Sequence, residues 1–530
     1  MKSFAIHPIL GLKTDVPHTD SSLLKMIGEN SAQTHCVDGR NIDFSRTRNS
    51  CSKSEGKGLW SASAIGTPSY CQGIFELYDG TNRVIWIVYD GNVYRYNSSN
   101  RVPAEVADAG ATAFASGIQD LYSFIRYGNY MVFADRAEHT PYCSDHNDAN
   151  LIKLVSGGTE FKFRYLESFA RRIIGAYSDQ TNANIDIRWT NANPTPNSDC
   201  VFAAANQLFV PNDDPITGIK KMGNNACYVY CEDSINRLDY YANYSAPFGF
   251  TTIIDGQGCT GHHSIINENN INYFYNRNYG FCAYDGGSQI IPISKDIDTW
   301  VRDIKLSSTP AIVGSENSYN NSIVWTVPLE GSSAPNALLI YDYVENKWTR
   351  RDFTASYIAP IVRATNVTWT KLITDLGYTT WESLGILRWT DLISENPALA
   401  VSATDGALYT LSTESDNTAD MDGYRVEPAL SFGSGNYSVL LEIWFSIVSG
   451  GDYSIYVHYR AGDTEKELRG AAWTPLEEVS LNDPKNAVCR LNGAIQRSAR
   501  IHQIKWGTDA ANEMFSVNKI EFVYQSESRW

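Results

Sequence analysis

The stretch IFELYDGTNRVIWIVYDGNVYRY, residues 74–96, holds three runs of β-branched and aromatic residues separated by two Asp-Gly turns. Asp-Gly between such runs is the strongest short-range signal for a β-hairpin. Altered forms of the phrase return as FCAYDGG at 281–287, LLIYDY at 338–343 and TDGALY at 404–409. Hairpin units that recur in this way predict a β-propeller or another radial array of small sheets.

Pairs of predicted strands fill the chain from 61 to 410. LYSFIRYGNYMVFA at 121–134 is one such pair, turning at Gly128-Asn129, and others follow every few tens of residues. The sequence therefore predicts an all-β fold class with a β-propeller over 61–410. It does not give the number of blades.

The two ends of the chain follow different patterns. Residues 1–60 are poor in periodic hydrophobic residues and are predicted as an N-terminal arm and a first strand. Within the arm, SSLLKMIG at 21–28 predicts a short helix with Ser as its N-cap and Gly as its stop. Residues 411–530 hold longer alternating strands, such as YSIYVHYR at 453–460, and predict a C-terminal antiparallel β-sandwich.

A Trp-rich insertion near 365–395 interrupts the β pattern. TWTKL at 368–372, TWESL at 380–384 and RWTDL at 388–392 share a Trp-x-x-Leu form. Trp and Leu three residues apart lie on one face of a helical turn, which predicts three short turns that pack the insertion onto the body. The alternative is an aromatic surface that stacks on sugars.

The charge balance limits the functions open to this chain. Its 530 residues include 59 acidic and 43 basic side chains, giving a net charge of −16. Such a balance argues against a broad grip on nucleic-acid phosphates and fits a solvated exterior, or an acidic channel wall along which DNA slides. A local basic cluster of Arg46, Arg48, Lys53 and Lys57 is either a solvated loop or a contact with DNA phosphate or an acidic partner.

The ten cysteines are scattered and predict free, mostly buried thiols instead of a disulfide framework. Cys227 and Cys231 would share one face of a strand. A metal site there would need the pair His262-His263 as further ligands and is the minor alternative. In GCTGHHS at 258–264, Cys259 near histidine offers a reactive thiolate, but a loop leading into a strand is the favoured interpretation.

Familiar catalytic motifs do not occur in the sequence. It has no Walker-type phosphate loop, no Gly-x-Ser-x-Gly elbow and no His-Glu-x-x-His pair, and we predict a protein that is not an enzyme and uses no cofactor or metal. The N-terminus lacks the apolar core of a signal peptide, and no run is long enough to cross a bilayer. We therefore expect synthesis in a cytoplasm and no membrane insertion.

Four phrases carry a resemblance to a known family. They are VDGRNIDFSR at 37–46, AYDG with the following IIPIS between 283 and 294, YDYVENKW at 341–348 and FSVNKIEFVY at 515–524. With these phrases the chain resembles the β-propeller proteins of tailed-phage necks and tails. This group includes the podovirus tail nozzle or tail hub proteins, also called packaged-DNA stabilisation proteins.

The resemblance implies a structural virion protein at the tail and portal vertex. Copies of the chain would form a sixfold ring below the portal and the adaptor (the head–tail connector), enclosing the DNA exit channel. The ring would help to retain the genome and then pass double-stranded DNA without sequence specificity. The basic cluster would contact the adaptor or the DNA end. The family has no motif-defined catalytic residue, so no catalytic site and no channel-lining residue follows. Because the chain is shorter than the more elaborate nozzles, fibre attachment is not implied.

Two other functions are compatible with the same sequence. A glycan- or receptor-binding tail protein would use aromatic side chains as stacking platforms, with the C-terminal domain as its lectin-like part. A propeller hydrolase acting on glycans would need converging acidic side chains at a propeller mouth.

Overall fold

The computed structural model describes most of the chain. The described residues are 1–45, 50–54, 56–66, 68–80, 82–97, 101–107, 114–136, 138–154, 160–180, 182–224, 226–242, 246–365, 394–413, 421–432, 437–449, 451–482, 487–491, 493, 495–510 and 513–527. The Trp-rich segment predicted near 365–395 falls almost wholly outside them, and so do Arg46 and Arg48.

Seven short strands form the N-terminal segment, which does not fold as a separate unit. They are β1 Lys2–His7, β2 Leu24–Gly28, β3 Ser31–Thr34, β4 Asp38–Arg40, β5 Ile42–Ser45, β6 Ser50–Lys53 and β7 Gly56–Leu59. Strands β1, β4, β6 and β7 pair with strands from the later part of the chain, β3 and β5 pair with β1 and β6, and β2 pairs with β3.

Seven four-stranded antiparallel sheets follow, and we call them blades 1 to 7 in chain order. Blade 1 consists of β8 Cys71–Tyr78, β9 Arg83–Tyr89, β10 Asn92–Asn97 and β11 Pro103–Glu105. Blade 2 consists of β12 Ser123–Tyr127, β13 Tyr130–Ala134, β14 Tyr142–Ser144 and β15 Ile152–Lys153. Blade 3 consists of β16 Phe163–Phe169, β17 Arg172–Ser178, β18 Asp186–Thr190 and β19 Phe202–Phe209.

Blades 4 to 7 repeat the same up-and-down order. Blade 4 has β20 Ile216–Met222, β21 Ala226–Cys231, β22 Ser234–Tyr240 and β23 Phe248–Asp255, and blade 5 has β24 Ile266–Glu268, β25 Ile271–Asn276, β26 Gly280–Tyr284 and β27 Ile291–Pro292. Blade 6 has β28 Val313–Asn317, β29 Ser322–Val327, β30 Ala337–Asp342 and β31 Lys347–Asp352. Blade 7 has β32 Tyr357–Thr365, β33 Ser394–Ser402 and β34 Leu408–Thr413. The fourth strand of blade 7 is β7.

The blades form a closed ring. The first strand of each blade contacts the first strand of the next, from β8 through β12, β16, β20, β24 and β28 to β32, and β32 contacts β8 again. Strand β7, which precedes blade 1 in the chain, pairs with β34 and so ties blade 7 to the start of the ring. The chain thus has an all-β, propeller-like fold, as the recurring hairpin phrase predicts.

The turns of the opening phrase lie where the sequence predicts them. Asp90 and Gly91 connect β9 to β10 and both have positive φ, at 50° and 71°. A two-residue type I′ hairpin turn requires this conformation at both positions, which explains the Asp-Gly pair. A Cβ at Gly91 would also lie 2.5 Å from the carbonyl oxygen of Phe114. The predicted hairpin at Gly128-Asn129 is confirmed between β12 and β13.

The apolar core of the ring lies between neighbouring blades. Blades 1 and 2, 2 and 3, 3 and 4, and 4 and 5 each share a separate buried cluster. This arrangement follows from the alternation of side chains along a strand, since the two faces of each blade pack against different neighbours. Stability is therefore distributed around the ring.

Two further sheets are built from both ends of the chain. Their later strands are β35 Gly423–Val426, β36 Tyr437–Ser449, β37 Ser454–Gly462, β38 Thr474–Pro475, β39 Val479–Ser480, β40 Val488–Arg490, β41 Ser498–Ala499, β42 Ile501–Thr508 and β43 Ser516–Glu527. One sheet runs β2-β3-β1-β43-β36-β40, with β5, β6 and β41 attached, and the other runs β38-β37-β42-β35-β4, with β39 attached. We call the two sheets together the two-sheet body.

The two-sheet body is continuous with the ring. Side chains from both of its sheets and from blades 5 and 6 belong to one buried apolar cluster. Above this cluster Arg40 of β4 pairs with Glu330 and Asp352 at 2.9 Å each, and Arg350 of blade 6 pairs with the same two carboxylates. A network in which two guanidiniums share two carboxylates holds its geometry better than isolated surface pairs do.

A second polar cluster lies inside the two-sheet body. Arg425 of β35 and Glu427 are fully buried and pair at 2.6 Å between Nε and Oε1. Thr34 Oγ1 donates to Glu427 Oε2 at 2.8 Å, Trp506 Nε1 donates to Oε1 at 3.1 Å, and Arg425 Nη2 donates to the Thr34 carbonyl at 2.8 Å. A buried ion pair is tolerated when its remaining donors and acceptors are satisfied in this way.

One local prediction in the N-terminal segment is wrong. Residues 21–28 do not form a helix, because only Ser21–Leu23 make a 3₁₀ turn and the chain then continues as strand β2. The N-cap of that turn is Asp20, whose Oδ1 accepts from the Ser22 amide at 2.7 Å. Pairing of β2 with β3 outweighs the weak helix propensity of so short a segment.

Helices are few and short in the ranges that the structure describes. The α-helices there are Asp298–Arg302 and Glu465–Gly470, and the 3₁₀ turns include His262–Ser264 and Leu306–Ala311. Within the described part of the chain no helix is both long enough and apolar enough to span a lipid bilayer.

Candidate functional site

The turn His262–Ser264 closes one end of the ring. It precedes β24 of blade 5, yet its side chains contact residues from blades on several sides. His262 Nε2 lies 3.3 Å from Ser123 Oγ of blade 2, and its ring centroid is 4.8 Å from that of Tyr165 of blade 3. The ring of His263 is 6.2 Å from that of Tyr357 of blade 7. A turn with these neighbours lies on the ring axis.

Blade 6 holds the same turn in place. Trp325 Nε1 donates to the Ser264 carbonyl at 3.0 Å. Ser264 Oγ in turn donates to the Gly261 carbonyl at 2.7 Å and accepts from the Tyr275 amide at 3.2 Å. Because its backbone and its serine hydroxyl are both bonded, the turn is a fixed part of the ring.

Both histidines of the turn are neutral at physiological pH. Burial, the neighbouring His263 and Lys220 together hold the pKa of His262 well below its usual range. Burial also lowers the pKa of His263 to about 3. The Ile219 amide donates to His262 Nδ1 at 3.4 Å, which leaves the ring proton on Nε2, facing Ser123.

A cavity of about 450 Å³ opens beside this turn. Its walls combine apolar and aromatic side chains, among them Leu121, Tyr165 and Tyr177, with the polar side chains of Arg136, Arg164 and Thr217. These residues come from blades 2, 3 and 4. We call it the axial pocket.

The two arginines of the axial pocket have different surroundings. Arg136 forms an ion pair with Asp120, whose other oxygen accepts from the Gly117 amide at 2.8 Å. The half-buried Arg164 instead places its guanidinium over the ring of Tyr177, 4.5 Å from the centroid. Among the described residues, Arg164 has no ion-pair partner and no hydrogen-bond acceptor.

Two backbone conformations at the pocket are unusual. Tyr177 and Arg136 both have φ near 59°, in the left-handed region that bulky side chains rarely adopt. Such strain persists only where the surrounding structure imposes it, and it concentrates at functional sites. Here it fixes the ring against which Arg164 stacks.

A second, more open cavity of about 870 Å³ lies between blades 3 and 4. The ion pair of Arg237 and Asp239 lines it, at 2.6 Å between Nε and Oδ1, together with Tyr240 and Tyr241. The two tyrosines are 43% and 47% exposed, so two aromatic side chains stand at the surface of this cavity.

The structure describes two of the four residues of the basic cluster, Lys53 and Lys57. Lys53 is 3% exposed, and its Nζ donates to Thr508 Oγ1 at 3.1 Å and to the Ala510 carbonyl at 2.8 Å. Lys57 lies in β7, where its Nζ stands 4.6 Å from the ring centroid of Phe353 and 4.9 Å from that of Tyr409. Lys53 therefore serves the packing of the two-sheet body. With Arg46 and Arg48 outside the described residues, a contact with DNA or a partner stays a prediction.

The cysteines match the prediction of buried thiols. All ten are free and buried. Cys227 and Cys231 lie on one face of β21 in the cluster between blades 3 and 4. Burial raises the pKa of Cys259 to about 12, so the thiolate needed for nucleophilic chemistry does not form near neutral pH. Within the described ranges, no three His, Cys, Asp or Glu side chains are grouped so as to hold a metal ion.

Sequence reasoning singled out His262-His263 but missed Arg136, Arg164 and Thr217. Each of the three stands in a different blade or at its edge, and none belongs to a motif. The one local signal was the GCTGHHS phrase, which marks the turn but not the cavity around it.

Comparisons with known proteins add little to this description. No protein-family model matches the chain, and no curated protein matches it. A solved chain from a structure titled "Crystal Structure of Mitotic Checkpoint Complex" is similar to it at 11% sequence identity and a TM-score of 0.37, over 68% of this chain and 96% of that chain. A likeness this weak supports no functional argument, and the fold described above rests on the sheets of this chain.

Proposed function

We propose that this chain is a structural, non-enzymatic virion protein of a tailed phage. Copies of it would form a sixfold ring, the tail nozzle or hub, below the portal and the adaptor. The ring would enclose the DNA exit channel, help to retain the packaged genome and then let double-stranded DNA pass. The protein would be made in the host cytoplasm and reside at the tail and portal vertex. The four family-like phrases support this proposal, and a propeller-like ring joined to a second body is compatible with it.

The observation that carries the proposal is the interleaving of the two chain ends. Strands β1 to β6 complete the two-sheet body, and β7 completes blade 7. The Lys2–His7 strand pairs with the final strand, Ser516–Glu527, across the length of the sequence. Both parts are thus closed by strands from the opposite end of the chain. A component that bears the pressure of packaged DNA needs such a body, because neither end can peel away by itself.

The DNA channel of the proposed assembly would lie between copies and not within one chain. The axis of each ring of blades is occupied by the His262–Ser264 turn. Duplex DNA would instead pass through the hole framed by several subunits. A net charge of −16 favours a channel wall that repels phosphate and lets DNA slide. We further infer that the two sheets of the two-sheet body pack as a β-sandwich, since their side chains share one core.

Strand β2 offers a contact for a neighbouring copy. It lies at the edge of its sheet, and Met26 and Ile27 are 54% and 50% exposed. An exposed apolar edge strand is a ready template for pairing with another chain, which monomeric proteins avoid. In a closed ring, every copy would present this edge to a heterologous surface of the next copy.

Electron microscopy and light scattering of the purified protein, with and without adaptor, test the proposal. We expect closed rings with an axial hole wide enough for duplex DNA. The double variant Met26→Glu with Ile27→Glu should leave the fold intact and convert rings to smaller species. The matched control is Leu306→Glu, which places a charge at a residue that is 56% exposed in the turn before blade 6. This variant should still form rings. A protein that stays monomeric and never joins an adaptor contradicts the proposal.

A glycan- or receptor-binding tail protein is the second candidate. The exposed Tyr240 and Tyr241 beside the Arg237–Asp239 pair favour it, because stacking aromatics near charged groups suit sugar recognition. The tryptophans on which the sequence argument relied lie outside the described residues. A glycan array that returns no ligand for the ring-forming protein removes this candidate.

A further inference from the structure

We propose that the axial pocket binds a small molecule that carries a carboxylate or phosphate on a flat, apolar body. This inference does not depend on the ring assembly proposed above. It rests on the size of the pocket, on two polar groups that have no partner in the described part of the chain and on the chemistry of the walls.

The axial pocket has the dimensions of a ligand site. Its volume of about 450 Å³ lies within the range of small-molecule pockets in proteins. It sits on the ring axis, where three blades and the His262–Ser264 turn converge. Strands β16, β17 and β20 carry Arg164, Tyr165, Tyr177 and Thr217 on its walls.

Two polar groups in the pocket lack partners. Thr217 Oγ1 is buried and makes no hydrogen bond among the described residues. The guanidinium of Arg164 contacts the Tyr177 ring but meets no acceptor among the described residues. A buried hydroxyl without a partner is costly and uncommon in native proteins. An anionic oxygen is the acceptor that a guanidinium prefers, and Thr217, which also lines the pocket, carries a second donor.

The balance of charge in the pocket favours an anion. Arg164 forms no ion pair among the described residues, and Arg136, on a second wall, is paired with Asp120. Glu232 also lines the pocket, but its side chain is exposed at the rim and forms no ion pair with either arginine. The two histidines are neutral, so they neither add to nor oppose this charge.

The remaining walls of the pocket favour a flat, apolar group on the part of the ligand that does not carry the charge. The rings of Tyr165, Tyr177 and His262 stand close together, with centroids 6.4 Å apart for the two tyrosines and 4.8 Å for Tyr165 and His262. Aromatic faces favour stacking with a flat apolar group. Leu121 and Pro310 extend this apolar surface. An anion attached to a flat body would thus satisfy both halves of the pocket.

Calorimetric titration of the intact protein with three matched probes tests the inference. Benzoate supplies a carboxylate, phenyl phosphate supplies a phosphate, and benzyl alcohol has the same ring without charge. We expect binding by one or both acids below about 1 mM and none by the alcohol at that concentration. Binding by benzoate alone identifies a carboxylate site, and binding by phenyl phosphate alone identifies a phosphate site.

Variants show whether the binding occurs in the axial pocket. Arg164→Gln should weaken the acid by about 10- to 100-fold, the range expected for loss of a hydrogen bond to a charged group. Thr217→Val should weaken it less. Arg302→Gln removes the same charge from a side chain that is 80% exposed elsewhere and should change nothing. Equal binding of all three probes, no binding of either acid, or full affinity in Arg164→Gln would overturn the inference.

Discussion

Two polar clusters in this protein use the same residue types in opposite ways. In the two-sheet body, Arg425 is fully buried and satisfied by Glu427 and Thr34. In the axial pocket, Arg164 and Thr217 line a cavity, and their guanidinium and hydroxyl have no such partners among the described residues. The first cluster uses all its hydrogen-bonding capacity to hold two sheets together. The second cluster has hydrogen-bonding capacity that would stabilise the protein only when a ligand is bound. A structural cluster therefore differs from a candidate binding site in whether its donors and acceptors already have hydrogen-bond partners within the protein.

Removing the buried guanidinium should produce the largest effect. Arg425→Ala leaves Glu427 buried without its counter-ion, and we expect a loss of about 3–5 kcal/mol in the free energy of unfolding. Urea denaturation followed by tryptophan fluorescence measures it, and Glu427→Gln, which keeps the side chain's shape, provides a second variant. Arg164→Gln, which also removes a guanidinium but in the axial pocket, should cost only about 0.5–1 kcal/mol, the range of one cation–π contact with Tyr177. Equal losses at the two arginines would abolish the distinction between the clusters.

The two threonines give a closer comparison with a smaller effect. Thr34→Val deletes a hydroxyl that donates to Glu427 and accepts from Arg425, and should cost about 1.5–3 kcal/mol because both bonds involve charged groups. Thr217→Val deletes a hydroxyl that has no hydrogen-bond partner among the residues that the structure describes, and it should be neutral or slightly stabilising. Both substitutions keep a β-branched side chain in a strand. A costly Thr217→Val would mean that this hydroxyl already has a structural role.

The histidines of the two regions predict acid destabilisation in different windows. Burial lowers the pKa of His502 in the two-sheet body to about 4 and that of His263 at the axis to about 3. Histidine in the unfolded chain titrates near 6.5, so below that pH the unfolded state binds a proton that the folded state does not. Stability should fall as the pH drops from about 6.5, by up to about 1.4 kcal/mol per pH unit for each such histidine.

Urea denaturation across this pH range separates the two contributions. His502→Gln should make the free energy of unfolding fall less steeply between pH 6.5 and about 4, by the contribution of one bound proton. His263→Gln should flatten it over the same range and down to about pH 3. Stability that is constant between pH 6.5 and 4 in the unmodified protein would show that these side chains are protonated in the fold.

Local features of the fold were predictable because they depend on neighbouring residues. The Asp90-Gly91 turn needs two residues that tolerate positive φ, and the runs around it need β-branched and aromatic side chains. Strand β2 shows the limit of this reasoning. Its eight-residue segment has helix-like start and stop signals, yet hairpin pairing with the adjacent strand β3 makes Leu24–Gly28 extended.

The candidate site was predictable only in part. The adjacent pair His262-His263 stands out in the sequence, and its turn proved to lie on the axis. Arg164 and Thr217 carry no such mark, since one lies in β16 and the other in β20, and each reads as an ordinary strand residue. Lys53 shows the converse, because its place in a basic run suggested a surface contact while its ammonium group is buried.

The hairpins, the all-β class and the buried thiols follow from the order of amino acids alone, because turn chemistry and side-chain alternation act over a few residues. The tertiary structure alone decided that β7 closes the ring, that β1 pairs with β43, and that Arg425 meets Thr34 across 391 positions of sequence. It also decided which arginine is satisfied and which faces an open pocket. Such contacts depend on closing very long loops, and the free energy that selects them comes from the packing of the whole molecule.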